Sequence, residues 1–503
     1  MKLINVINEK EEWLKKGYEV FAYDREKMIE ETRKDPEWVH FGAGNLFRAF
    51  QAVFCDKLLD EGVLDKGIIA VGGRDSQAID DYFRRFDNLH IAVTLKGNGE
   101  IEKRVVGSIA ESLKIEDKER LEEIFENPSL KVASFTVTEK GYVVNESDTS
   151  EAFMAKVTDL LHHRFLHGAY PLTLSSHDNC SHNGDVLKKA IVFFAKRYND
   201  EAFLNYVEEK VSFPIAMIDK ITPRPDKKIA AILESDGVED LKDLDPNHYM
   251  SCFVNAEKTQ YLVIEDKFAN GRPLWEKAGI IFTDRETVDK VEKMKVGTCL
   301  NPVHTSLAVY GCLLDHHLIC DEMKDEELDK LARHVGYDEG LPVVVDPKIL
   351  DPKQFIDTVI EERLPNPYMP DSPFRIGMDT SQKLPVRFGE TLKAYIRKGE
   401  DISRLTYIPL VFAGWLRYIS GINDKGERFE IPSDPRLEEM KEILGDVKLG
   451  DRIEKEKILP ILKDATIFGV DLEEYGLADK VVAFLNEELE GIGAVRNTLK
   501  KYM

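Results

Sequence analysis

The chain has 503 residues, 43% of them hydrophobic and 32% charged, and a formal net charge of −23 at pH 7. That length exceeds one ordinary core, so two or three domains are expected, with ample apolar content to pack them. The acidic balance, uninterrupted by any basic stripe, excludes nucleic acid and anionic membrane surfaces as partners. No apolar run is long enough to span a bilayer. The start, MKLINVINEKEEWLKKGYEV, carries charges where a signal peptide needs an apolar stretch, so a cytoplasmic location is expected. Six cysteines without a CxxC pair read as reduced thiols.

In chain order, DPEWVHFGAGN (35–45) predicts a strand running into a glycine turn, and 46–62 a helix closed by Gly62. GIIAVGGRD (67–75), LHIAVTL (89–95), KVASFTVTEKGY (131–142) and YPLTLSSHDN (170–179) predict further strands. Strands separated by helical segments imply a mostly parallel α/β sheet. From about residue 285 the pattern turns helical: 287–323 reads as one long helix, and 325–339, 352–366, 390–399 and 408–421 as others. The expected architecture is a Rossmann-like α/β domain with an N-terminal extension over 1–285 and a mostly α-helical domain over 286–503. An active site is expected in the cleft between them.

Gly42-Ala43-Gly44 stands directly after a strand and directly before a helix, the context a dinucleotide site requires. Glycine lets the backbone approach a pyrophosphate, and a helix N-terminus favours its charge. The third glycine of GxGxxG is missing, since position 47 is Phe; Ala49 can serve the close helix packing instead. An ordinary βα turn is the competing interpretation. Asp75 follows the next strand, where an acid binds ribose hydroxyls and repels the extra phosphate of NADP. Arg74 beside it pulls the other way, and a plain cap at the strand end is the alternative role for Asp75.

SSHDNCSHNGDV (175–186) sits at the C-terminal end of a predicted parallel strand, the edge at which open α/β sheets bind ligands. Asn179 can donate its amide to a carbonyl or alkoxide oxygen, or simply close a turn. His177, Cys180 and His182 also offer metal-ligand chemistry, as do Cys312, His316 and Cys320 at helical spacing, but neither set has a familiar zinc spacing. A second polar interruption, KVGTCLNPVH (295–304), lies inside an apolar helix. A Lys, an Asn and a His are costly to bury there without partners. Singly they read as a snorkelling lysine and a satisfied core histidine. Together they make a proton-transfer and oxygen-binding set, with desolvation suiting Lys295 to acid/base work.

Six stretches together, VHFGAGNLFRAF, TVTEKGY, SHDNCSHNGDV, FPIAMIDKITPRP, KMKVGTCLNPVH and RIGMDTSQKLPVR, resemble the polyol-specific long-chain dehydrogenases, the mannitol dehydrogenase family, in order and rough spacing from about residue 36 to 420. Within that family CLNPVHTSLAVYGCLL looks most like the fructuronate reductases. The resemblance implies an NAD-dependent, metal-independent oxidoreductase that interconverts D-fructuronate and D-mannonate. Tagaturonate reductase and mannitol (polyol) 2-dehydrogenase are the alternatives within the family. It implies Gly42, Gly44, Phe47 and Arg48 at the cofactor loop, Asp75 at the ribose, and Thr138 and Glu139 on the nicotinamide side. It implies Lys295 as general acid/base, Asn179 and Asn301 on the reacting oxygen, and His304 on a neighbouring hydroxyl. Asp219, Arg375 and Lys383 would orient the polyol chain. A sugar acid or polyol is then the expected partner. A non-catalytic dinucleotide-binding scaffold and a zinc hydrolase remain rivals from other classes.

Lys295 and Asn301 have five residues between them, one more than the family's usual spacing. On an unbroken helix, at about 100° per residue, Lys295 would face about 180° away from His304. A bulge or break between 296 and 302 is therefore expected, eased by Gly297 and by Pro302, which removes a helix bond. The rival is Lys293, about 80° from Asn301 and about 20° from His304 on an unbroken helix. A uronate carboxylate needs a cation, and Lys220, Arg224, Arg375, Lys383 and Arg387 lie near the motifs. Surface ion pairs are the competing role for Arg224 and Arg387.

Overall fold

The structure is a computed structural model that describes all residues except 74, 243, 244 and 246. Arg74, weighed above against NAD, lies outside the described residues. The chain forms two compact units, Met1–Lys96 with Glu100–Val288, and Gly97–Gly99 with Asp289–Met503.

The first unit is built on six parallel strands: β1 (Trp38–Phe41), β2 (Ile68–Val71), β3 (Ile109–Leu113), β4 (Val132–Phe135), β5 (Leu172–Ser176) and β6 (Val211–Ser212). Their order is β3-β2-β1-β4-β5-β6, the doubly wound order of dinucleotide-binding folds. WVHF, IIAV, VASF and LTLSS are buried along their whole length, as strands covered on both faces must be. Alternate residues serve opposite faces: Trp38 joins Phe47, Phe54 and Trp275 on one side, while Val39 and Phe41 join Ile69, Phe135 and Leu161 on the other. Polar residues at the centre of the sheet pair with one another. Ser134 accepts from Trp38 Nε1 at 2.7 Å and bonds His40 Nδ1 at 2.7 Å, and His40 Nε2 bonds the Thr136 hydroxyl at 2.8 Å.

The helix expected over 46–62 is two, α1 (Asn45–Ala49) and α2 (Gln51–Asp60), parted at Phe50. The strand expected at 89–95 is present as His90–Leu95 but belongs to a separate mixed sheet. It is joined to Ile101–Val106 by a short turn, which forces an antiparallel pair. A third, three-stranded sheet holds Ala216–Asp219, Tyr261–Glu265 and Ile281–Thr283.

The second unit is helical. The pattern expected as one helix over 287–323 resolves into α3 (Arg285–Met294), a π-helical turn Lys295–Cys299, and α4 (Asn301–Leu313), after which Asp315 at φ +64° turns the chain into Ile319–Glu322. The bulge expected between 296 and 302 is thus present, starting one residue earlier. Leu300 N donates to Lys295 O at 3.1 Å, five residues back, and regular bonding resumes at His304 N to Leu300 O, 3.0 Å. Pro302 has no N–H to offer the preceding turn. The Gly297 carbonyl accepts instead from the Thr391 hydroxyl at 3.0 Å. The remaining expected helices appear as α5 (Glu326–Arg333), α6 (Pro352–Thr358), α7 (Gly389–Arg397) and α8 (Tyr407–Ile419); α5 and α6 also run on into π-helical turns. Every residue of α8 from Ile408 to Ile419 is buried, the mark of a helix packed on all sides. Gly414 lets the Tyr310 ring cross it, since a Cβ there would meet Tyr310 Cζ at 2.6 Å. No helix among the described residues is long and apolar enough to cross a membrane.

Candidate active site

The glycine loop opens a cavity of about 900 Å³ at the C-terminal ends of β1, β2 and β4, with Gly42, Gly44, Gly72, Asp75, Thr138 and Tyr249 in its lining. Gly42 has φ +95°, and a Cβ there would lie 2.2 Å from the Thr136 carbonyl oxygen; only glycine fits. Gly44 faces open space, where a Cβ would meet nothing nearer than 3.9 Å. This is the close approach that a pyrophosphate needs, and the residues present fit a dinucleotide.

Asp75 does two things at once. Its Oδ1 accepts from Ala78 N at 3.2 Å, so the capping role is real, and its Oδ2 accepts from the Tyr249 hydroxyl at 3.0 Å. Tyr249 escaped the sequence reading. It is also held through its carbonyl by Asn45 Nδ2 at 2.7 Å, and so links the glycine loop to the acid beyond β2.

Phe47 and Arg48, expected along the cofactor loop, are in the interior, and neither is in the cavity lining. Phe47 stacks on His40 with ring centres 4.3 Å apart. Arg48 donates to the Ser251 carbonyl at 2.7 Å and lies over the Phe83 ring, and burial lowers its guanidinium to about 10. The apolar spacing of 46–54 turns this face of the loop helix inward, so both residues brace the loop from behind. Thr138 lines the cavity with the strained φ of +67°; Glu139 is exposed and absent from the lining.

The polar cluster is built around Asp178, which sequence reasoning passed over. Its carboxylate accepts from Val137 N at 2.9 Å, Thr138 N at 3.0 Å and the Tyr142 hydroxyl at 2.5 Å. It thereby ties the end of β5 to the TVTEKGY loop after β4. Burial raises this carboxyl above its usual value, and those three donors oppose the rise. Asn183 Nδ2 braces the same turn through the Asp178 and Ala216 carbonyls, both at 2.9 Å. His177 is fully buried between Gln51 Nε2 and the Ser175 hydroxyl, and burial lowers it to about 3. Asn179 is exposed at the mouth of the turn, and Asp219 is buried at the end of its strand. Among the described residues, neither proposed histidine–cysteine set gathers its ligand atoms. Among the described residues, the one group whose possible ligand atoms do lie together is Glu126, His163 and His167.

In the helical unit, Lys295 is 6% exposed at the first residue of the π-turn, whereas Lys293 is exposed to solvent. Asn301 begins α4 and is half-buried. His304, one turn on, is 14% exposed; its Nε2 has no hydrogen-bond partner and lies 3.7 Å from Asp371 Oδ2. Burial lowers the imidazole to about 4, opposed by Asp371 and reinforced by Arg387, Arg363 and Arg375. His304 is therefore neutral at physiological pH. Arg375 is paired with Asp371, and Lys383 donates to the carbonyls of Ile376 and Met378. Burial, helped by Arg387, lowers Lys383 to about 8.

Comparison with known proteins assigns both units. Residues 36–277 match the mannitol dehydrogenase Rossmann domain and residues 287–491 the mannitol dehydrogenase C-terminal domain. The chain is 43% identical to a D-mannonate oxidoreductase of Thermotoga maritima, over 98% of this chain and 97% of the relative. It is 29% identical to the D-mannonate oxidoreductase of Escherichia coli, over 84% and 87%. Among solved structures, a D-sorbitol dehydrogenase in substrate-free form superposes with a TM-score of 0.77 at 26% identity, covering 95% of this chain and 97% of the other. A Pseudomonas fluorescens mannitol 2-dehydrogenase, in ternary complex with NAD and D-mannitol, gives 0.69 at 28%, covering 97% and 96%. With both domains matched and a glycine loop shaped for a dinucleotide, this chain belongs to the mannitol dehydrogenase family of oxidoreductases.

Proposed function

We propose that the protein is a cytoplasmic, NAD-dependent oxidoreductase that interconverts D-fructuronate and D-mannonate, with a lysine rather than a metal carrying the proton. The observation that carries this reading is the 43% identity to a D-mannonate oxidoreductase along 98% of the chain. The π-turn supports it, because a one-residue bulge takes up about 100° of helix and brings Lys295 from about 180° to about 80° of His304.

Bound nicotinamide would supply the hydride in reduction and accept it in oxidation. The chain's own residues do the rest. Lys295, withdrawn from water, gives its proton to the nascent alkoxide in reduction and takes it back in oxidation. Asn301 offers an amide N–H to the same oxygen, the stabilisation that matters most where charge develops. His304, neutral with an unpartnered buried Nε2, takes a neighbouring substrate hydroxyl. Asn179 and Asp219 keep the oxygen-holding and chain-orienting roles that the family resemblance gives them. Gly42, Gly44, Asp75 and Thr138 serve the cofactor, and the Asp75 carboxylate favours NAD over NADP by repelling a 2′-phosphate.

The test is NADH consumption against D-fructuronate, D-tagaturonate and D-fructose, with NADPH in parallel and an EDTA control. EDTA-resistant turnover of D-fructuronate with NADH is expected. Preference for D-tagaturonate or D-fructose would move the enzyme to another branch of the family, and loss of activity to chelator would overturn the lysine mechanism.

A further inference from the structure

Among the described residues, Arg387 is a cation near His304 that no carboxylate pairs with. The sequence offers it as one of five cations for a uronate carboxylate, with a surface ion pair as the competing role, and among the described residues no ion pair to it is present. Arg387 is half-buried at the end of the helix Thr380–Arg387, and its hydrogen-bond partner among the described residues is the Thr305 hydroxyl. Thr305 in turn donates to the Asn301 carbonyl at 2.8 Å. The guanidinium is therefore tethered to the same turn of α4 that carries Asn301 and His304. No acid among the described residues lies within ion-pair distance of it, although four of the other cations in this stretch, Lys348, Lys353, Arg375 and Lys393, each have a carboxylate partner.

Lys383 makes the local excess of positive charge larger. It precedes Arg387 by four residues on the same helix, so the two cations share a face, an arrangement that destabilises a helix when nothing compensates it. Both are partly desolvated, and burial lowers Arg387 to about 10 and Lys383 to about 8. Asp371 does not compensate, because Arg375 already occupies it. A planar guanidinium with unused donors beside a substrate-binding imidazole matches the two oxygens of one carboxylate.

We infer that Arg387, supported by Lys383, is the anchor for the carboxylate of a sugar-acid substrate, and that it sets the preference for uronates and aldonates over neutral polyols. This rests on the proposed oxidoreductase function and adds to it the group that reads the acid end. A neutral polyol leaves the guanidinium desolvated and unpaired, which penalises it beyond the loss of one contact.

The experiment compares parent, Arg387→Gln and Arg387→Lys for oxidation of D-mannonate and of D-mannitol, its uncharged counterpart, reading KM and kcat separately. The ratio of kcat/KM for mannonate to that for mannitol is expected to fall on the order of 100-fold in Arg387→Gln, through KM, and less in Arg387→Lys. Thermal melts of both variants with D-gluconate against D-glucitol, at saturating NADH, read carboxylate binding without turnover: the parent is shifted upward by gluconate alone, and Arg387→Gln is not. A folded Arg387→Gln with mannonate KM within threefold of the parent and an intact gluconate shift overturns the inference while leaving the proposed function standing. If the parent oxidises mannitol but no sugar acid and shows no gluconate shift, the proposed function and the inference fall together.

Discussion

Glu488 allows the energetics of the helical core to be tested directly. It is fully buried on the helix Ala478–Leu489; its Oε1 accepts from the Tyr310 hydroxyl at 2.7 Å and its Oε2 has no hydrogen-bond partner. The Arg417 guanidinium beside it is committed elsewhere, to the Glu488 backbone carbonyl, the Ser420 hydroxyl and the carbonyls of Ile422 and Asn423. Burial therefore raises the carboxyl from 4.5 to about 8, so it is protonated in the fold at neutral pH. The unfolded chain releases that proton above pH 4.5 and the folded one does not until about 8. Stability is consequently unaffected below the lower value, falls as pH rises between the two, and stays low above the higher. At roughly 1.4 kcal/mol per pH unit, the cost reaches about 5 kcal/mol at pH 9. Glu488→Gln keeps the shape and the acceptor for Tyr310 but cannot ionise. It should match the parent near pH 5, exceed it by about 3 kcal/mol at pH 7, and exceed it most at pH 9. Urea unfolding midpoints at the three pH values measure the gap. A gap that does not widen with pH would show that Glu488 is ionised in the fold, and the burial argument would fail.

The remaining predictions concern the site. Gly42→Ala places a Cβ 2.2 Å from the Thr136 carbonyl and adds strain of roughly 1–3 kcal/mol; NADH binding, followed by nucleotide fluorescence, should weaken at least tenfold. Asp178→Ala removes the acceptor for Val137 N, Thr138 N and the Tyr142 hydroxyl. It should cost about 3 kcal/mol in thermal unfolding, and an effect below 1 kcal/mol would mean that the loop holds itself. Lys295→Ala should lower kcat by about 10²–10⁴-fold while exposed Lys293→Ala keeps most activity; the reverse would identify the wrong lysine. Because His304 titrates at about 4, His304→Gln should lower kcat without removing any inflection of the rate profile between pH 5 and 9. An inflection near pH 6–7 that vanishes in this variant would contradict a neutral imidazole.

The central sheet was legible because strands covered on both faces are continuous apolar runs, and WVHF, IIAV and VASF are such runs. The π-turn was legible by arithmetic, since one residue too many between Lys295 and Asn301 had to be absorbed somewhere, and Pro302 marks where helix bonding is weakest. Short pieces such as Val211–Ser212 carry too few residues to show a period. The inward placement of Phe47 and Arg48, and the choice between the two roles open to Arg387, were not legible for one reason: whether a charged or aromatic side chain faces a cavity, a core or an ion pair is set by partners distant in the chain. Arg48 finds Ser251, and Arg387 finds a hydroxyl rather than an acid. Asp178 was passed over because its partners lie about forty residues upstream, in a loop whose own sequence does not advertise a need for an acceptor.

The π-turn has a consequence for how such proteins are compared and altered. An inserted residue in a helix normally rotates everything after it out of phase with its packing partners. Here the insertion is taken up within Lys295–Cys299, with the Gly297 carbonyl satisfied from outside by Thr391, so the helices on either side keep their own seams. An unbroken helical wheel would put Lys293 on the side of His304, while the bond from Leu300 N five residues back to Lys295 O shifts the phase of Lys295 instead. A single-residue deletion within 296–300 is for the same reason a gentler change than one in α3 or α4. It would convert the bulge to plain α-helix and leave both flanking seams in register.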